Sequence, residues 1–134
     1  MSSGPPAASE GNLNGLLGFA VQHRDPGRLV LSAEVRPDLC NRRGVLHGGV
    51  VSALLDAALG GAVVSGITPE EWCATVQLSI QFLEGARRGP ITAEGLLLRR
   101  GQRVAFASGE ARDSEGLVVA RAQGTWHIWP HRPR

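Results

Sequence analysis

Between positions 45 and 68 the chain carries one formal charge, Asp56, in a run otherwise built mainly from Val, Leu, Ala and Gly. Val50, Val51, Leu54, Leu55, Ala58, Leu59 and Ala62 recur at spacings of three and four, the period of a helix face. The opposite side, with Ser52, Ala53, Gly60 and Val63, is small and uncharged as well. A helix that is apolar all round is a buried helix, so the rest of the chain must enclose it. The spacing predicts a helix from about 47 to 65, stopped by Gly66, Thr68 and Pro69. Ala53, Ala57, Gly60 and Gly61 would let another backbone approach closely. His47, Asp56 and the glycines argue against a membrane span.

Around this helix the sequence predicts strands. Segments 19–24 and 28–36 flank the turn Asp25-Pro26-Gly27. In the second, Leu29, Leu31, Ala33 and Val35 alternate with Val30, Ser32, Glu34 and Arg36, so one face should be wetter. Four further strands are expected at 74–83, 90–100, 102–113 and 117–129, with Val76, Leu78, Ile80 and Phe82 forming the apolar face of the first. Residues 1–11, rich in Ser, Gly, Pro and Ala, read as a disordered tail. Residues 12–18 read as a short helical or extended lead-in. Strand, strand, long buried helix and four strands imply an α+β domain, an antiparallel sheet wrapped around one helix over 12–130.

A length of 134 residues suits one domain, and 18 glycines with 8 prolines favour a strand-rich fold over a helical bundle. Net charge is +2, and the densest basic cluster, Arg99, Arg100 and Arg103, has no aromatic interleaving. A nucleic-acid partner is therefore not expected. Those arginines suit either a solvated strand end or the phosphates of a nucleotide-bearing substrate. Cys40 and Cys73 match no metal-ligand spacing or disulfide framework, and no basic-then-apolar leader opens the chain. A reduced, cytoplasmic protein is expected.

The lone carboxylate is the chemical clue. A buried ionised group is costly unless paired or hydrogen-bonded, and no Lys or Arg lies within two helical turns of Asp56. Burial moves a carboxylate toward the range that acid–base chemistry needs; the bland alternative is an Asp bonded to a neighbouring strand's backbone. Nine residues separate His47 from Asp56, placing them on opposite sides of a helix and about 13 Å apart along it. The helix N-terminus, with N–H groups at Gly48 and Gly49, suits an anion or carbonyl oxygen. One chain cannot bring that terminus and its own Asp56 to one atom. Two antiparallel copies could, which points to a homodimer with two shared sites.

The pattern Asn41-x-x-Gly44-x-x-His47-Gly48-Gly49, with Asp56 nine residues after His47, resembles the PaaI-like acyl-CoA thioesterases of the hotdog fold. Residues 75–83, Arg99-Arg100-Gly101-Gln102 and 116–120 also stand in that family's order, and the resemblance covers roughly 12–128. It implies a hotdog fold and hydrolysis of an acyl-CoA to the free acid and CoA, without cofactor or metal. The acyl group could be aryl, arylacetyl or short-to-medium aliphatic. It further implies a tetramer built from two dimers. In this reading the Gly48 N–H binds the thioester carbonyl, and Asp56 of the other subunit acts as general base or nucleophile. His47 and Asn41 position the thioester, and Thr75 assists the water. Gly49, Arg100, Gly101, Gln102 and Arg103 contact the substrate. One departure stands out: Glu84-Gly85 follows Phe82-Leu83 where relatives commonly carry a basic residue and Pro. Two other readings stay open, a hotdog dehydratase or hydratase and a non-catalytic acyl-CoA binder. A Cys40–His47 nucleophile is disfavoured because Cys40 lies outside the motif, and His23, His127 and His131 are scattered.

Overall fold

A computed structural model describes residues 12–134; the expected tail lies outside the described residues. The elements are α1 (Leu13–Leu16), β1 (Ala20–Asp25), β2 (Arg28–Ala33), a 3-10 turn at Pro37–Leu39 and α2 (Gly48–Val64). They continue with β3 (Trp72–Phe82), β4 (Ile91–Arg100), β5 (Val104–Arg112) and β6 (Val118–Trp129). The lead-in is helical because the Asn12 side chain accepts the Gly15 N–H at 3.0 Å, capping α1. The six strands form one antiparallel sheet in the order β1-β2-β4-β5-β6-β3. Its concave face holds α2, which touches five of the strands. This is the hotdog arrangement expected from the element order.

The helix is seated on the sheet through glycine. A methyl group at Gly95 of β4 would stand 2.2 Å from the Ala58 carbonyl oxygen, and one at Gly109 of β5 2.6 Å from Leu59 Cδ1. Backbone therefore lies on backbone, and Leu54, Leu55, Ala58, Leu59 and Val63 are fully buried. Burying one such leucine is worth about 1.5–3 kcal/mol relative to leaving it exposed.

Three expectations need correction. First, β2 ends at Ala33 rather than 36, and its supposedly wetter face is closed, with Val30 and Ser32 both 8% exposed. The strand is interior, Gln22 donates to the Ser32 hydroxyl at 2.7 Å, and Arg28 pairs with Glu94 on the same face. Second, α2 is not enclosed all round by its own chain: Ala53, Asp56, Ala57 and Gly60 are half-buried and Val64 is exposed. The sheet covers one side, leaving this stripe toward the β3 margin. Third, β3 does not alternate cleanly. A bulge between Thr75 and Gln77 sends Val76 outward, 62% exposed, and switches the parity. Cys73 therefore joins Leu78 and Ile80 against the core.

Gly95→Ala should destabilise the fold by about 1–3 kcal/mol or more, because its obstacle is helix backbone that cannot turn aside. Urea unfolding midpoints of wild type and variant check this.

Candidate functional site

The loop before α2 is shaped by Asn41. Its side-chain Oδ1 accepts the N–H groups of Arg43 at 2.9 Å and Val45 at 3.3 Å. Gly44 closes the turn at φ 75°, a conformation that favours glycine. Asn41 Nδ2 is left as the donor that can face a ligand. The loop is further tied by Asn41 N–H to the Val45 carbonyl at 2.8 Å, and by Leu46 N–H to the Ala86 carbonyl at 2.9 Å.

His47 is the N-cap of α2. Its Nδ1 accepts the Gly49 N–H at 2.8 Å, and its carbonyl accepts the N–H of Val50 at 2.8 Å and of Val51 at 3.2 Å. The Val51 bond is the first regular helical one; of the four orphan donors before it, those of His47 (to the Leu39 carbonyl at 2.9 Å), Gly49 and Val50 are used. The Gly48 N–H has no acceptor among the described residues. In the neutral ring, with Nδ1 accepting, the His47 proton sits on Nε2. A side chain at Gly49 would collide with this ring, its Cβ 3.0 Å from Nδ1. The N–H of Gly49, a residue expected to contact substrate, is thus held by His47.

The free donor opens on a cleft of about 420 Å³. Leu46, Val51, Ala86 and Val119 form its apolar floor, and Asn41, Phe82, Leu83 and Glu84 lie around its mouth. The Phe82 ring stands beside Gly48, with Cε1 3.5 Å from where a Cβ would be. Phe82 and Val119 come to this cleft from sheet positions that sequence reasoning read as structural. Their only signal was apolar character at a strand end.

Asp56 lies at the middle of α2, half-buried, and its Oδ1 accepts the Thr75 hydroxyl at 2.8 Å. The partner is a side chain rather than strand backbone. The β3 bulge makes this possible, because it brings Thr75 to the helix side of the sheet. Thr75 and Asp56 are thus brought together as expected. The Gly48 end of the helix lies about 12 Å away along the axis.

The Arg100-Gly101-Gln102-Arg103 turn lies near the opposite end of α2, where the Leu97 side chain crowds Gly66. Arg100 is ion-paired to Glu71, the Gly101 N–H bonds the Val104 carbonyl at 2.7 Å, and Gln102 and Arg103 are exposed. The Thr68 N–H, at 2.9 Å, and the Arg100 guanidinium together hold the Glu71 carboxyl below its ordinary range. Burial pushes the Cys73 thiol up. Among the described residues no three His, Cys, Asp or Glu side chains gather as a metal site, and no helix is long and apolar enough to cross a membrane.

A hotdog sheet, an unpaired N–H at the start of its helix and a carboxylate further along it are compatible with thioester hydrolysis. The chain belongs to the thioesterase superfamily, whose family model matches residues 43–120. A Saccharolobus solfataricus protein provisionally named as an esterase is 34% identical over 112 residues, covering 84% of this chain and 79% of its own. The medium/long-chain acyl-CoA thioesterase YigI of Salmonella typhimurium is 28% identical over 130 residues, covering 86% and 84%. Among solved structures, the Escherichia coli PaaI protein from the phenylacetic acid degradation operon shares the fold. It superimposes with TM-score 0.78 at 24% identity, over 84% of this chain and 80% of that one.

Glu71 gives a pH signature. Its folded pKa is lowered, so its contribution to stability is complete above the unfolded value of about 4.3 and is lost as pH falls through the lower folded value. Glu71→Gln should therefore lose less stability than wild type on going from neutral pH to about pH 3, as read from urea unfolding midpoints at each pH.

Proposed function

We propose that this protein hydrolyses acyl-CoA thioesters as a homodimer with two shared sites. The observation that carries this reading is the Gly48 N–H, left without an acceptor at the mouth of an apolar-floored cleft. The thioester carbonyl oxygen accepts from this donor. As the carbonyl carbon becomes tetrahedral, its oxygen gains negative charge at the positive end of α2. Asp56 of the second copy supplies the carboxylate on the other side. It either takes a proton from the attacking water or adds to the carbon itself. In the first route the C–S bond then breaks, the thiolate takes up the proton, and free acid and CoA leave. In the second the thiolate leaves first, and a water hydrolyses the acyl–aspartyl anhydride to release the acid and restore the carboxylate. Thr75 aims the carboxylate; Asn41 Nδ2 and His47 orient the thioester.

Support for the dimer comes from the margin of the fold. β3 is an edge strand, with Trp72 46%, Val76 62% and Phe82 55% exposed, and the half-buried stripe of α2 lies beside it. Antiparallel pairing of two β3 edges sets the Trp72 end of one against the Phe82 end of the other. Asp56 and Thr75 then move toward the second copy's Gly48. A tetramer of two such dimers belongs to the same proposal, as does a reduced cytoplasmic setting, which suits the free Cys40 and Cys73. The apolar floor suits an apolar acyl group, aryl, arylacetyl or short-to-medium aliphatic.

Thiol release from a panel of acyl-CoAs tests the chemistry. Asp56→Asn should lower kcat by about 10²–10⁴-fold with the dimer intact. An equally fast variant, or a wild type that cleaves no thioester, overturns the reading in favour of a binder or dehydratase.

Gly48→Pro removes the donor at a position where the helix tolerates proline, since His47 already has the extended ψ of 136° that precedes one. It should cost about 10²–10³-fold. Mixing the two inactive variants under subunit exchange should restore roughly a quarter of wild-type activity by statistical pairing. No recovery would mean that each site is built within one chain.

A further inference from the structure

The two loops that line the Gly48 cleft also carry three arginines that the reaction described above does not use. Arg42 and Arg43 follow Asn41 directly, in the turn held by the Arg43 N–H to Asn41 Oδ1 bond of 2.9 Å. Arg87 reaches back over Gly85, which lines the same cleft; its Nη1 lies 2.7 Å from where a Gly85 Cβ would be. All three are exposed, and among the described residues none has a carboxylate within ion-pair distance. Arg28, Arg36, Arg88, Arg100, Arg112 and Arg121 are each paired; Arg24, Arg99, Arg103, Arg132 and Arg134 are not, but none of these five lies within two residues of one lining the cleft. The positive end of α2 opens at the same place. Glu84 is the one acid among the residues lining the cleft. Three unpaired guanidiniums against one carboxylate leave this rim cationic.

From this arrangement we propose that Arg42, Arg43 and Arg87 form the phosphate-binding rim for the nucleotide end of the thiol, with Glu84 weakening their hold. The inference rests on the thioesterase reading. The apolar floor receives groups without charge, whereas a diphosphate and a phosphomonoester carried outward from the sulfur need donors at the mouth. Guanidinium supplies paired N–H donors matched to phosphate oxygens. Arg100, already committed to Glu71, is less suited. A partly occupied salt-sensitive rim also leaves product free to depart, because exposed charges are screened at ordinary ionic strength.

The test compares binding of free CoA and of pantetheine, which lacks the phosphates, by calorimetry, and then KM for one acyl group on each thiol. The variants are the triple Arg42→Ala/Arg43→Ala/Arg87→Ala, Glu84→Gln, and Arg24→Ala. The triple variant should weaken CoA binding and raise the acyl-CoA KM about tenfold or more, leaving kcat and all pantetheine values unchanged. Glu84→Gln should shift CoA affinity the other way, and Arg24→Ala, an exposed arginine without an ion pair on the opposite edge strand β1, should shift neither. CoA that binds no better than pantetheine to wild type, or a triple variant as tight as wild type, overturns the rim. Equal losses on both thiols overturn it too, since they mark a distorted Asn41 loop. So does a loss confined to acyl groups borne on a carrier protein, which would assign the arginines to a protein partner. CoA binding that depends on these arginines, in a protein that hydrolyses nothing, upholds the rim and overturns the thioesterase reading alone.

Discussion

Contact between the α2 backbone at Ala58 and Gly95 of β4, closer than any side chain would permit, sets the position of everything that matters chemically. With the middle of the helix pressed onto the sheet, its first turn comes to the margin of β3 and β6, beside Phe82 and Val119. Its midpoint comes to Thr75. A helix held further out by ordinary side chains would break the Asp56–Thr75 bond and open the cleft floor. Core packing and site geometry are therefore one constraint, and the glycines serve both.

A second consequence concerns the donors at the helix start. His47 takes one amide through its ring and two through its carbonyl, which fixes the direction of the remaining one. The energetic value of such an N–H lies in its preorganisation: it cannot reorient, so no reorganisation accompanies the growth of charge on an oxyanion. Asn41 contributes in the same way from the loop, spending its oxygen on Arg43 and Val45 and keeping its nitrogen free.

Much of this was legible in the sequence, for a reason that can be stated. The helix from Gly48 to Val64 and the strand order follow from local periodicity and turn residues, which the chain displays openly. The lone Asp56 marked the candidate site because charge is rare in an apolar run, and the His47-Gly48-Gly49 start marked it through its place before a helix and its resemblance to a known family. The bulge at Val76 was not legible, since nothing in Thr75-Val76-Gln77 breaks the alternation. It arises where β3 must match β6 while turning Thr75 toward the helix. The capture of Gly49 by His47 depends on a ring orientation set by the cap. The gathering of Arg87 with Arg42 and Arg43 depends on two loops, 41–46 and 83–89, meeting at the Leu46–Ala86 hydrogen bond. Contacts between loops far apart in the chain leave no periodic trace.

The charge distribution gives the proposed pairing a physical reason. Its net charge of +2 conceals a separation along α2. At the Gly48 end stand an unpaired N–H, the positive helix terminus and unpaired arginines; at the middle stands an unpaired carboxylate. Were Asp56 one turn from Gly48 in its own chain, the N–H would be drawn toward the carboxylate and neither would be free for a substrate. Keeping them about 12 Å apart along the axis preserves both. In the proposed dimer, antiparallel packing sets the positive end of one helix opposite the carboxylate of the other. The two groups then meet across a thioester rather than each other. In that dimer, the separation that keeps the two groups apart within one chain is the condition for a shared site.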